Sequence, residues 1–370
     1  MKHHKKTHFR KLALALCLWG AGQAAAAEAP GCTVDARTRS VVDMAGRTVV
    51  LPKAVKRVAT VGSVPVINGY LFALGAGERI ANGLPPRFAQ SGKWRLQTAI
   101  APHLADRPVL QGQVGSEVAI ETLVRLAPDA VITMDRLGIR KLEAAKAPVV
   151  YLEWGNASDI QRNMAVLGCV LDRMPESEAY LRYFDATMAR IRHTLAGVAP
   201  AARPRVLYFN PHTMTTPLLI ANWWIEEAGG SSVTAGMARG GNAHYSHEQL
   251  LMWNPEVFIV GSPEQAAAIY RDERFAKIAA VRNGRVHVTP VGAHSWGQRT
   301  VEQPLTVLWA AKLFHPEAFA QVDMANEIRS FYRRFFDYEP SAEDIRTILA
   351  GGADDGRPTG RPGAGGNTKF

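Results

Sequence analysis

The side chains best suited to binding a charged ligand fall in loops that follow predicted β-strands. His294, Trp296 and Arg299 cluster in one loop, soon after the predicted strand 285–289. Open α/β sheets bind ligands at the carboxyl ends of their strands. There, arginine can pair with anionic oxygens, aromatic rings can stack on a ligand, and histidine or tyrosine can coordinate a metal. The full set of candidate ligand-binding residues is Trp94, Arg95, Asp135, Arg136, Trp154, His212, Arg239, His244, Tyr245, His294, Trp296 and Arg299.

Two alternative interpretations stay open for members of this set. His212, His244 and His294 could meet around a nickel or cobalt chelate and ligate the metal directly. Trp154 and Trp296 could instead pack in the core or at its rim, which is the more frequent role of tryptophan. The sequence does not decide between these interpretations.

Catalytic motifs are absent from the sequence. It contains no G-x-S-x-G nucleophile elbow, no C-x-x-C pair and no P-loop. His247 and Glu248 begin like a zinc-protease helix, but Leu251 stands where the second histidine would have to be. Basic residues are not clustered with interleaved aromatic residues, so we expect no nucleic-acid partner. A binding protein is therefore favoured over an exported two-domain hydrolase with a cleft active site, or a scaffold without a cleft.

Alternating strand and helix patterns would position these loops. Short apolar runs at 130–134, 205–209 and 256–260 predict buried strands of parallel sheets, with helical segments between them. Two such α/β halves flank a single long segment, 175–198. In that segment apolar residues recur every three or four positions, which predicts one amphipathic helix.

Length, composition and charge fit an exported globular protein. The 370 residues suffice for about two domains, and 47% of them are apolar. Residues 1–27 carry five of the basic side chains and no acidic one, followed by a short apolar run and small residues ending at Ala27. This is the order of a secretory signal peptide, so we expect a periplasmic protein. Its removal lowers the net charge from +10 to +5.

Two cysteines, Cys32 and Cys169, remain after the expected signal peptide. In an oxidising compartment they are candidates for one disulfide, although the sequence leaves open whether they approach each other. The predicted division of the chain is a signal peptide over 1–27, an N-terminal lobe over 28–172, a linking helix over 173–200, a C-terminal lobe over 201–350 and a disordered tail over 351–370.

Six blocks of sequence occur in an order typical of one family. They are a hairpin at 43–52, segments at 74–80, 119–132, 247–259 and 281–286, and a C-terminal block that includes 304–312 and 331–336. Together they resemble the periplasmic substrate-binding proteins of iron-siderophore and cobalamin ABC importers. The resemblance covers about residues 39–349. It implies an α/β fold of two Rossmann-like lobes joined by one long α-helix, with the ligand cleft between the lobes.

The resemblance also implies a membrane partner. Family members carry one exposed glutamate on each lobe that docks on the inner-membrane permease, and the matching positions here are Glu121 and Glu248. Each lies seven residues before a proline, Pro128 or Pro255, that precedes a predicted buried strand. A capping or helix-dipole role is the alternative for both glutamates, and the two roles are compatible.

The ligand implied by the resemblance is a metal chelate, with a ferric siderophore as our first expectation. A nickel or cobalt chelate, haem, cobalamin and molybdate stay open as alternatives. Haem and cobalamin would need a larger apolar cleft, and molybdate would need backbone N–H groups and small donors. We expect no enzymatic activity, no separate cofactor and a monomer that docks alone.

Overall fold

The computed structural model describes residues 31–112, 117–156, 158–237 and 242–352. The predicted signal peptide, Arg239 and most of the predicted tail lie outside the described residues. Gly351 and Gly352, which we expected to begin the tail, are buried. None of the helices in the described ranges has the length and apolar character needed to cross a membrane.

Twelve strands and fourteen α-helices are numbered here in chain order, within the described ranges. The strands are β1 (Cys32–Val34), β2 (Thr38–Val42), β3 (Thr48–Pro52), β4 (Val58–Val61), β5 (Ala130–Thr133), β6 (Val149–Tyr151), β7 (Arg205–Tyr208), β8 (Thr215–Pro217), β9 (Ser231–Ser232), β10 (Asn242–His244), β11 (Val257–Val260) and β12 (Val286–Val288). The helices are α1 (Val64–Ala73), α2 (Pro86–Ala89), α3 (Arg95–Ile100), α4 (Ile120–Leu126), α5 (Ile139–Glu143), α6 (Ser158–Leu171), α7 (Met174–Leu195), α8 (Leu218–Glu227), α9 (His247–Trp253), α10 (Pro263–Arg271), α11 (Ala279–Arg282), α12 (Gln303–Phe314), α13 (Met324–Phe336) and α14 (Ala342–Leu349).

Each lobe is built on a parallel sheet. Strands β4, β5 and β6 pair in that order in the N-terminal lobe, and β12, β11, β7 and β9 pair in the C-terminal lobe. Every residue of β4, β5, β6 and β11 is buried, as expected for strands covered by helices on both faces. The fold is therefore the predicted α/β class with two Rossmann-like lobes.

The same supporting unit recurs in both lobes. Helix α4 ends at Ala127 with a left-handed backbone (φ 43°), and α9 ends at Asn254 in the same way (φ 40°). A proline follows each turn, and the chain then enters the central strand of its sheet. The guanidinium groups of Arg57 and Arg205 donate to the carbonyls of Leu126 and Trp253, the last residues of α4 and α9. The equivalence expected from the spacing of the two glutamates thus extends to the backbone around them.

Helix α7 lies where the two lobes meet. We predicted a linking helix over 173–200, and the α-helix itself spans Met174–Leu195. Its buried stripe includes Tyr180 and Ile191, and the Tyr180 hydroxyl donates to the carbonyl of Val301 at 2.6 Å. One contiguous cluster of buried residues contains Ile132 of the first sheet and Ile259 of the second. The two lobes thus share one hydrophobic core.

A disulfide ties the N-terminal strand to α6. Cys32 in β1 bonds to Cys169, and their Cα atoms lie 5.9 Å apart. The Cys32 side is exposed, whereas Cys169 is completely buried. Beside the disulfide, the buried Arg39 guanidinium donates to the Cys169 carbonyl and pairs with Asp172 at 2.9 Å.

Candidate ligand cleft and docking face

The carboxyl ends of the two central sheets carry glycine turns and helix starts. Gly62 (φ +85°) follows β4 and leads into α1, and Gly261 follows β11 and leads into α10. Helices α1 and α10 begin directly after these strand ends, so their positive ends lie at this edge of the sheets. Parallel sheets bind ligands at this edge.

Two residues that the sequence interpretation overlooked make direct bonds between the lobes here. Lys93 donates from Nζ to the carbonyl of Gly261 at 2.7 Å. Gln97 donates from Nε2 to the carbonyl of Ala293 at 2.7 Å and is completely buried. Asn68 donates in turn to the Gln97 amide oxygen, so a buried polar chain fixes the orientation of this amide.

His294 is the predicted ligand residue whose surroundings are most distinctive. Its ring lies against Trp94, with centroids 5.0 Å apart and planes inclined by 31°. Burial, together with the positive charge of Lys93 and more weakly that of Arg299, lowers the pKa of His294 to about 3. Burial also lowers the pKa of Lys93. Within the described segments, Nδ1 of His294 is buried without a hydrogen-bond partner. Lys93 and the imidazole of His294 therefore both lie against Trp94, whereas Arg299 is exposed.

Trp296 does not line the cleft, contrary to our expectation. It is completely buried, and its indole Nε1 donates to the Glu302 carboxylate at 3.1 Å. Glu302 is also fully buried and accepts from Tyr332 at 2.7 Å and from the His294 backbone at 3.1 Å. Burial raises the pKa of Glu302. Trp296 thus supports the loop from inside, and His294 is the member of that loop that contacts the opposite lobe.

The predicted residues of the N-terminal lobe have separate surroundings. Arg95 forms an ion pair with Asp344 at 2.7 Å, so its charge is already matched. Asp135 accepts from the backbone of its own turn. Arg136 is exposed and lies 4.0 Å from the carboxylate of Glu153. Trp154 is half-buried with its ring edge toward Tyr70, at a centroid distance of 6.4 Å. Trp94, Arg136 and Trp154 all keep surface that a ligand could contact.

The structure does not bring His212, His244 and His294 together as a metal site. Within the described ranges, no three His, Cys, Asp or Glu side chains are placed to hold a metal ion. His212 and His244 are exposed near the β8–β10 pair, whereas His294 is packed against Trp94. Tyr245 is mostly buried with its ring edge toward Trp253, at 5.0 Å, and burial raises the pKa of its hydroxyl well above the usual range.

The two predicted docking glutamates occupy equivalent and exposed positions. Glu121 lies in the first turn of α4 and Glu248 in the first turn of α9. Each helix returns the chain to the start of a parallel strand, so its first turn lies toward the carboxyl edge of the sheet, as the cleft does. A hydrogen bond from Ser246 lowers the pKa of Glu248. The helix starts that carry these glutamates therefore lie toward the corresponding edge of each sheet.

Two parallel-sheet lobes packed on one long shared helix form the fold of a solute-binding protein. The model of the periplasmic binding protein family matches residues 103–291, and the chain belongs to this family.

Three relatives illustrate the similarity. The molybdate-binding protein MolA of Haemophilus influenzae is 25% identical over 336 residues, which is 82% of this chain and 92% of MolA. The iron(3+)-hydroxamate-binding protein YxeB of Bacillus subtilis is 22% identical over 123 residues, covering 33% of this chain and 36% of YxeB. A periplasmic solute-binding protein of Veillonella parvula has the same fold, with a TM-score of 0.73 and 24% identity over 84% of this chain and 97% of the other.

The sequence patterns around two overlooked residues, Lys93 and Glu302, are too ordinary to indicate a site. Lys93 adjoins the predicted Trp94, but a single lysine is ordinary in a surface loop. Glu302 reads as an acid at a helix start, and its burial depends on Trp296 and Tyr332, of which Tyr332 is 30 residues away.

Proposed function

We propose that this protein captures a small anionic metal species between its lobes and delivers it to an ABC importer. The observation that carries the proposal is the junction between the lobes, where the Lys93 Nζ atom reaches the Gly261 carbonyl at 2.7 Å beside the paired rings of Trp94 and His294. The half-buried Lys93 favours an anionic ligand, because electrostatic attraction is stronger in a partly desolvated site than in water. The positive ends of α1 and α10, which begin just after the strand ends, add to this attraction.

A metal oxyanion such as molybdate fits this junction best. The direct contacts Lys93–Gly261 and Trp94–His294 already bring the lobes together, which favours a small ligand. The similarity to a molybdate-binding protein over most of both chains supports the same ligand class. No resident cofactor is part of this proposal, and capture requires no bond to be made or broken.

A ferric siderophore, our first expectation from the sequence, is the second candidate. The half-buried Trp94 and Trp154 offer aromatic surface, and the exposed Arg136 offers a cation for a bulky anionic chelate. Such a ligand would have to separate Lys93 from Gly261. The partial match to an iron(3+)-hydroxamate-binding protein supports this candidate over a third of the chain.

Calorimetric titration of the purified mature protein tests the proposal. We expect molybdate to bind, with sulfate as a control for charge and ferric hydroxamate as the bulky competitor. Lys93→Gln should weaken molybdate binding at least about tenfold, because it removes one charge-assisted contact. The matched control is Arg282→Gln, which removes an exposed charge on α11. Binding of ferric hydroxamate without molybdate would replace the first candidate with the second, and binding of neither would overturn the proposal.

The proposed site of action is the periplasm, with the inner-membrane permease as the partner and a monomer as the docking form. Glu121 and Glu248 are the proposed docking acids, since both are exposed in the first turns of equivalent helices of the two lobes.

A further inference from the structure

One short segment of the N-terminal lobe carries several direct contacts to the C-terminal lobe. It is the helical stretch 93–97, and we call four of its residues the clasp: Lys93, Trp94, Arg95 and Gln97. Their partners in the C-terminal lobe are, in the same order, the Gly261 carbonyl, the His294 ring, the Asp344 carboxylate and the Ala293 carbonyl. These partners lie before α10, in the loop 292–299 and on α14, so the clasp connects three separate parts of that lobe to one point of the other.

The clasp is anchored firmly in its own lobe. The Trp94 ring packs edge-on against Phe88, with centroids 5.2 Å apart. The Gln97 Nε2 atom also donates to the Pro65 carbonyl at 3.0 Å, and the Gln97 amide oxygen accepts from Asn68 at 3.1 Å. Because these bonds hold the segment in place, a movement of the C-terminal lobe has to break clasp contacts.

Gln97 makes the contact that is hardest to break. Gln97 and Ala293 are both completely buried, and the two amide hydrogens of Gln97 are used by the carbonyls of Pro65 and Ala293. On the opposite side of the same residue, the Ala293 N–H donates to the Tyr332 hydroxyl at 3.1 Å. Separating Gln97 from Ala293 would leave a buried donor and a buried acceptor unpaired, which costs free energy.

The outer contacts of the clasp are easier to open. Lys93 is half-buried and the Arg95 side chain is 40% exposed, so water can solvate both cations once the lobes separate. Asp344 also accepts from the Tyr338 hydroxyl at 3.0 Å, so its carboxylate keeps a partner when Arg95 leaves. The lobes can therefore part at the outer contacts while Gln97 still holds.

We propose that the clasp limits the size of the ligand that the cleft accepts. Opening of the outer contacts admits a small anion, whereas Gln97 resists the wider separation that a bulky chelate requires. This rests on the proposed function and names the residues that choose between its two ligand candidates. Arg95 and Gln97 act as positioning residues, because they bind one lobe to the other rather than the ligand.

Distances between the lobes test the clasp without any ligand. Spin labels on cysteines at positions 50 and 270 report these distances by double electron–electron resonance, since Val50 on β3 is 55% exposed and Tyr270 on α10 is 41% exposed. Calorimetric titration of the same variants with molybdate and with ferrichrome, a bulky ferric hydroxamate, then measures selectivity.

The clasp variant carries Arg95→Gln and Gln97→Met. Methionine has the length and helix propensity of glutamine but cannot donate to Ala293. Arg95→Gln alone keeps every bond of Gln97 and guards against misfolding of the double variant. The matched control is Arg162→Gln, because Arg162 is 46% exposed and pairs with the buried Asp159 inside α6, within a single lobe.

We expect the clasp variant to show longer and more broadly distributed distances than the parent. Its affinity for ferrichrome relative to molybdate should rise at least about tenfold. Arg95→Gln should change both quantities in the same direction but less, Arg95→Lys should restore the parent values because it keeps the charge, and Arg162→Gln should match the parent.

Unchanged distances in the folded clasp variant and in Arg95→Gln would overturn the clasp. Longer distances with an unchanged relative affinity would overturn its role in selection, as would a parent that binds ferrichrome more tightly than molybdate. A parent that binds neither probe would overturn the proposed function and the selection role with it, while the distances still decide whether the clasp holds the lobes together.

Discussion

At the scale of single residues, a buried carboxylate organises the loop that reaches across the cleft. Glu302 accepts hydrogen bonds from the Trp296 ring, the Tyr332 hydroxyl and the His294 backbone. Gly292 leaves no room for a Cβ beside this carboxylate, which explains the glycine. The loop is thereby held with His294 toward Trp94, so the residue that contacts the opposite lobe depends on one that does not.

His294 should make the stability of the protein depend on pH. Its pKa is lowered to about 3 in the folded protein, against 6.5 for the free side chain, so the unfolded chain binds a proton that the folded protein does not. This contribution to stability is present above pH 6.5 and is lost progressively as the pH falls toward 3. Urea unfolding of His294→Asn should therefore show a shallower loss of stability between pH 7 and pH 4 than the parent.

The exposed His212 supplies the control for this experiment. His212→Asn should retain the slope of the parent. His287, whose pKa burial lowers to about 4, adds a second contribution that persists in both variants. Parallel curves for the parent and His294→Asn would contradict the assignment.

Residue roles were harder to predict than residue types. The loop 292–299 was singled out because aromatic and cationic side chains cluster in it, but nothing in the sequence indicated the burial of Trp296, which packs with Glu302 and the distant Tyr332. Such a contact has no local pattern, because it depends on how α12 and α13 pack. The ion pair between Arg95 and Asp344, which lies in the C-terminal helix α14, could likewise not be predicted from a local pattern.

At the scale of elements, the periodicity of apolar residues was enough to predict the long helix, one face of which is buried. It was predicted over 175–198 and spans Met174–Leu195, so that the prediction differed only at the last turn. Helix α6 was not predicted, although 10 of its 14 residues are buried and it packs against α7.

The disulfide between β1 and α6 should contribute strongly to stability. Its two cysteines are 137 residues apart, and a cross-link over so long a loop restricts the unfolded chain. Replacing both cysteines with serine should lower the free energy of unfolding by about 2–4 kcal/mol. Thermal unfolding with and without a reductant measures this effect. The double variant is its own control, because its midpoint should not respond to the reductant, and equal stability of parent and variant would contradict the prediction.

At the scale of the whole molecule, the two lobes should unfold together. Their sheets contribute to one contiguous core, and α7 packs between them. We expect a single transition in urea, with coincident curves from tryptophan fluorescence and circular dichroism. Tyr180→Phe removes the hydrogen bond to Val301 and should lower the midpoint without splitting the transition. Two separate transitions would show that the lobes are energetically independent.

The position of the disulfide has a consequence for a chain that has been cut by a protease. All three strands of the N-terminal lobe's parallel sheet lie between Cys32 and Cys169. A single cleavage anywhere in that interval leaves two fragments that are still covalently joined. They migrate as one species until a reductant is added, and the nicked lobe keeps both halves of its sheet within reach of each other.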